Sequence, residues 1–156
     1  MRNCFEFSNK DFISLTDELK FLENYINVEK MKKMFEYSVS LPEEVNIYDT
    51  FIPPMFLQPI VENAIKYGIN NLDKTGKITV QIIQKQNTIE FRIINTRNKN
   101  IPNENSFVKP NGSMALLLKR IDYLKINFRN KQLGIWYKSD AQTTTATIIL
   151  PCKQNV

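Results

Sequence analysis

The chain has 156 residues, 42% of them hydrophobic, and a net charge of +5, which is enough for one domain with a real core. No apolar run approaches the roughly eighteen residues of a membrane span, and the opening MRNCFEFSNKDF lacks the apolar centre of a signal peptide. Cys4 and Cys152 stand near opposite ends with no CxxC, which argues against a disulfide framework or a zinc site and fits a reducing cytoplasm.

Residues 1–13 read as a lead-in. Thr16, followed by Asp17 and Glu18, is a helix start with acidic side chains at the positive end of the dipole. Leu15, Leu19, Leu22 and Ile26 then recur at helical spacing to about Lys33. Residues 36–41 alternate Tyr37, Val39 and Leu41 against polar neighbours, as a strand does, and 42–49 form a turn-rich connection. Pro53 and Pro54 suit the first turn of a second helix, in which Phe56, Ile60, Asn63 and Tyr67 recur at helical spacing beside Leu57, Val61 and Ala64. Residues 76–85 and 88–95 are β-branched strands joined as a hairpin near 86–87. A polar loop over 97–110 leads to a helix over 113–127, carried by Leu117, Ile121 and Leu124. A last hairpin pairs 133–138 with 144–150 and stops at Pro151. This order predicts an α+β fold, a two-layer sandwich in which helices cover one face of a mixed sheet.

Lys119, Arg120, Lys125, Arg129 and Lys131 cluster, but Asp122 interrupts them and their spacing suits the wet side of a helix, so no nucleic-acid partner is expected. With four glycines there is neither GxxxxGK[ST] nor GxGxxG. The chain has no histidine, which excludes a phosphohistidine made on it.

The stretch FIPPMFLQPIVENAIKYG carries the chemistry. Its packed face runs straight into Asn63, and a buried amide needs a partner or costs a few kcal/mol of desolvation. Two readings are open: an Asn that caps a neighbouring loop, or an oxygen donor to Mg²⁺ beside a phosphate, with Lys66 one turn on to meet the phosphate charge. The run PPMFLQPIVENAIKYGI resembles the N-box helix of the GHKL ATPase superfamily. More narrowly it resembles the autolysin-regulator type of bacterial sensor histidine kinase, PPLLLQPLVENAIKHGI, with Tyr67 in place of the usual His. FLENYINVEKMK is similar to that family's FLENYLEIEKLR, which precedes its ATP-binding domain.

The resemblance implies the Bergerat ATP-binding fold over 14–151, with 152–156 as a tail. It also implies ATP and Mg²⁺ as cofactors, Asn63 as the metal residue, and Glu62 with Asn63 as catalytic residues. Nucleotide contacts fall on Asn63, Lys66, Tyr67, Asn95, Gly112, Ser113, Met114 and Thr144. Asn95 stands where the family motif DNGPG has the Asp that accepts from the adenine amine, and Arg97 and Lys99 replace its glycines. KPNGSMALLLKRIDYL keeps the end of the family's GTGIGLxNVxxRL, but one glycine, Gly112, remains of three, and Leu116 replaces the Asn. In TTTATIILP, Thr144 falls on the family Thr that supports the adenine carboxylate.

Three functions follow. The first is the ATP-binding catalytic domain of a two-component sensor histidine kinase, presenting Mg-ATP to a histidine outside this chain. Its implied partners are the histidine-bearing dimerisation region and a response regulator, in a homodimeric receptor anchored in the inner membrane with this domain in the cytoplasm. The second is a non-catalytic docking or regulatory module, favoured by Arg97, Lys99, Asn111 and Leu116. The third is a GHKL hydrolase with Glu62 as general base.

Overall fold

The computed structural model describes residues 12–101 and 112–154. Helix α1 (Leu15–Lys32) is capped two residues earlier than Thr16 suggests: the Ser14 hydroxyl accepts from the Asp17 N–H, 3.1 Å away. Thr16 instead donates its hydroxyl and its N–H to the Ile47 carbonyl, at 3.0 and 3.1 Å, tying the helix start to the connection before the second helix. Asp17 and Glu18 lie in the first turn, and Lys30 and Lys32 in the last, complementing the dipole at both ends. Leu15, Glu18, Leu22 and Ile26 form the buried stripe, so a carboxylate sits where the period calls for an apolar residue.

The main sheet has five strands: β2 (Phe35–Ser40), β4 (Gly76–Gln84), β5 (Thr88–Thr96), β6 (Gly134–Ser139) and β7 (Thr143–Pro151), in the order β2-β4-β5-β7-β6. The β2–β4 pair is parallel and the others antiparallel, so the sheet is mixed. Register lines up inward rows across β4, β5 and β7: Ile82–Phe91–Ile148, then Val80–Ile93–Ala146, then Ile78–Asn95–Thr144. All nine side chains are buried. The last row is therefore polar on two strands out of three, at one end of an otherwise apolar face.

Helices cover that face in the expected two-layer α+β sandwich. Helix α2 (Leu57–Asn63) contributes Leu57, Ile60 and Val61 to the core, and α3 (Gly112–Asn127) contributes Met114, Leu117, Ile121 and Leu124. Full burial of one such side chain stabilises by about 1.5–3 kcal/mol. A second, small sheet has the order β1-β3-β8, from β1 (Ile13–Ser14), β3 (Thr50–Ile52) and β8 (Lys153–Gln154). It joins the start of α1 to the segment read as a tail.

The prolines do not form the first turn of α2. Pro53 and Pro54 precede the helix, and Met55 between them and Phe56 adopts φ 62°. Left-handed backbone costs a non-glycine residue about 1–2 kcal/mol, so the surroundings must hold it there. The proline inside α2 is Pro59, still in the first turn, where its missing N–H leaves nothing unsatisfied.

Candidate functional site

After Asn63 the helix widens into a π turn (Ala64–Gly68) and ends in a 3₁₀ turn (Ile69–Asn71). Such wide turns recur where a helix must re-aim side chains. Here the turn brings Gly68 against the end of β5. A Cβ on Gly68 would stand 2.2 Å from Asn95 Nδ2 and 3.0 Å from the Thr96 carbonyl oxygen, so any other residue here has to push the Asn95 amide aside. The loop after β5 docks on the same segment, as Asn98 Nδ2 donates to the Asn71 carbonyl at 3.0 Å.

Between these elements lies a cleft. Its walls are Ile60, Asn63, Tyr67 and Gly68 from the helical side, Asn95 and Thr144 from the polar row of the sheet, and Arg97, Asn98 and Tyr137 around them. Four residues expected to contact nucleotide therefore converge: Asn63, Tyr67, Asn95 and Thr144. Asn95 is buried and uses its amide N–H toward the Thr96 carbonyl at 2.9 Å. Thr144 shares a 2.9 Å hydrogen bond with the Ser139 hydroxyl.

Two polar atoms in the cleft are buried and have no hydrogen-bond partner among the described residues: Asn63 Nδ2 and the Tyr137 hydroxyl. Burial pushes the Tyr137 phenol up to about 12, and the nearby Asn63 amide offsets only part of this. The two groups approach one another without reaching hydrogen-bond geometry. Because amide N and O exchange by a flip, Asn63 can turn either a donor or an acceptor to a molecule entering the cleft. That fits an oxygen ligand to Mg²⁺ that leaves other positions to water and phosphate. Among the described residues no cluster of three or more His, Cys, Asp or Glu could hold a metal by itself.

The remaining expected residues stand outside the cleft lining. Glu62 is half-buried and accepts from the Ser113 hydroxyl at 3.2 Å, linking α2 to the first turn of α3. Lys66 is exposed, its ammonium 5.3 Å from the centre of the Tyr67 ring. Gly112 opens α3 with φ 58° and open space around it. Met114 has its side chain in the core, 2% exposed, so only its backbone can meet a ligand. Leu116 points outward, and Asn111 lies outside the described residues.

Two further residues help to shape the cleft, and only one of them stood out in the sequence. Tyr137 reads in sequence as one more alternating strand position, and only the pairing of β6 on β7 places it beside Asn63. Arg97, which stands where the resembled motif has a glycine, lines the cleft. It is 8% exposed, its guanidinium donates to the Asp140 carbonyl at 2.8 Å and to the Ile101 carbonyl, and its own N–H bonds the Gln142 carbonyl at 2.9 Å. The cavity volume that remains is about 20 Å³, room for one water.

A mixed sheet with helices on one face, and a cleft between the N-box segment and the polar sheet end, define the catalytic-domain fold of histidine kinases. The catalytic domain of the histidine kinase ThkA superposes with a TM-score of 0.63 at 13% identity, over 90% of this chain and 94% of that one. No family model matches the chain. By sequence it is 33% identical over 72 residues to the sensor histidine kinase BtsS of Escherichia coli K12, covering 45% of this chain and 12% of that protein. It is 22% identical over 150 residues to the sensor histidine kinase/phosphatase LytS of Staphylococcus aureus Mu50, covering 92% of this chain and 26% of that protein. In sequence the chain thus resembles LytS-type sensor histidine kinases and in fold the catalytic domains of histidine kinases, and it spans about a quarter or less of these two relatives.

Proposed function

We propose that the domain binds an adenine nucleotide with Mg²⁺ in this cleft and presents the terminal phosphate to a histidine on a segment outside the chain. The observation that carries this reading is the convergence of an under-satisfied Asn63 amide with Asn95 and Thr144 on one cleft wall. Asn95 accepts from the adenine amine through its carbonyl oxygen, with one of its two amide N–H groups committed to the Thr96 carbonyl. Thr144 is its cross-strand partner and supports it. Asn63 would hold the metal, which when bound would neutralise phosphate charge, the chief need of phosphoryl transfer. Glu62 holds the start of α3 through Ser113, and Lys66 can swing from the Tyr67 face toward phosphate.

The receptor implied is a two-component sensor, with a dimerisation region and a membrane anchor supplied by other segments. Among the described residues no helix is long and apolar enough to cross a membrane. A response regulator as partner is supported by ThkA, solved with the response regulator TrrA. That ThkA chain superposes at TM-score 0.57 and 13% identity, over 90% of this chain and 41% of that one. The test is phosphoryl transfer. With no histidine of its own, the domain incubated with labelled ATP should gain no acid-labile phosphate, and adding the histidine-bearing segment should restore labelling.

Arg97 favours a second reading, a docking module with little nucleotide affinity, because its guanidinium occupies the base side of the cleft. Absence of labelling in the intact receptor, with the histidine present, would select that reading.

A further inference from the structure

Helix α2 has no cap of its own. Its N-cap residue Phe56 makes no side-chain cap bond, and its first turn has no acidic residue. The cap comes from a helix some forty positions away in sequence. Glu18 of α1, 2% exposed, accepts from the N–H groups of Met55, Phe56 and Leu57 at 2.8, 3.0 and 3.1 Å. With Pro59 lacking an N–H, this one carboxylate serves most of the orphan donors at that helix start.

The same residues are gripped from the other side. Arg120 of α3 donates to the carbonyls of Pro54 at 2.6 Å and Met55 at 3.1 Å, and its guanidinium stacks 4.1 Å from the centre of the Phe56 ring. Donors of the segment thus go to α1 and acceptors to α3, and between them Met55 is held in its left-handed conformation. At the far end of α2, Glu62 meets Ser113 of α3. A seven-residue helix is a rigid rod about 10 Å long, so whatever sets its first turn also sets Asn63 at its end.

We propose that Glu18 and Arg120 are positioning residues that clamp the start of α2, and that a displacement of α1 or α3 reaches Asn63 through this clamp. The consequence for nucleotide rests on the reading of the cleft given above; the mechanical coupling does not. A plain structural cap would only change stability. A clamp changes where Asn63 sits in protein that remains folded.

The experiment compares wild type, Glu18→Gln and Arg120→Lys. Gln sets an amide donor against the Met55 N–H. Lys keeps the charge but loses the fork and the stacking. Two quantities are read: hydrogen exchange with the NMR resonances of the α2 backbone and Asn63 side chain in nucleotide-free protein, and ATP affinity with and without Mg²⁺. Both variants should show faster exchange over α2 and a shifted Asn63 side-chain resonance. The Mg²⁺ enhancement of ATP affinity should fall on the order of tenfold, while Mg²⁺-free affinity changes little. If Glu18→Gln does not fold, Arg120→Lys, which leaves the buried carboxylate in place, decides alone. Folded variants with unchanged α2 exchange and an unmoved Asn63 resonance overturn the clamp. If wild type binds no nucleotide, the cleft reading fails, and the clamp stands or falls on the exchange and resonance data.

Discussion

Replacing Arg97 by Ala should weaken the fold and tighten nucleotide by related amounts. The guanidinium donates to the carbonyls of Asp140 and Ile101, while the backbone N–H bond to Gln142 survives the substitution. Hydrogen bonds from a charged donor contribute about 1.5–3 kcal/mol each. The Asp140 carbonyl belongs to an exposed turn residue and rehydrates when the donor leaves, so the combined loss is about 2 kcal/mol. For a domain of this length that lowers Tm by roughly 4–8 °C. On the cleft reading proposed above, a base seated against Asn95 displaces the same guanidinium, which lines the cleft beside it. Those bonds are therefore subtracted from the binding free energy, and Arg97→Ala should recover about thirtyfold in ATP affinity. Thermal melts and calorimetric titration of both proteins give the two numbers. A variant that loses stability while ATP affinity stays the same or falls would show that Arg97 is not in the way of the base.

Three other outcomes follow from the same geometry. Gly68→Ala should cost about 1–3 kcal/mol by overpacking against Asn95 and Thr96 and should abolish base binding, which chemical denaturation and titration can check. Tyr137→Phe removes a buried hydroxyl that has no partner among the described residues, so urea denaturation should find the nucleotide-free domain at least as stable as wild type. Burial holds the Glu18 carboxyl above its ordinary value of 4.5, with the Met55, Leu57 and Phe56 N–H groups and Arg120 opposing. The folded state therefore takes up the proton more readily than the unfolded state. Its favourable contribution is complete below 4.5 and is lost as pH rises through the raised value, so wild type should gain stability relative to Glu18→Gln as pH falls through that window.

Periodicity made the long elements legible. The inward residues of β4, β5 and β7, from Ile78 to Leu150, alternate strictly, and the stripes of α1 and α3 recur at three and four. The three strands of the small sheet were not legible, because two or three residues carry no period and Ser14, Phe51 and Lys153 come into register only through contacts distant in sequence. Two prolines suggested a helix start at 53–54, yet the segment is extended and then left-handed at Met55, a conformation imposed by Glu18 and Arg120 from other helices. At the site, sequence pointed to Asn63, Asn95 and Thr144, and cross-strand register brings the last two together. It marked Arg97 as standing in place of a glycine without showing the carbonyls that hold it. Tyr137 gave no signal, since an aromatic residue in an alternating strand reads as core. Glu18 was legible only as a dipole-favoured residue in a first turn, although it caps a different helix.

The most direct measurement is a calorimetric titration of wild type and Asn63→Ala with ATP, with and without Mg²⁺. Wild type should bind ATP weakly and more tightly with Mg²⁺, whereas Asn63→Ala should keep its fold and the Mg²⁺-free affinity but lose the metal enhancement. No heat from wild type at millimolar Mg-ATP, or an Mg²⁺ enhancement that survives in Asn63→Ala, would contradict the assignment of this cleft as a Mg-nucleotide site.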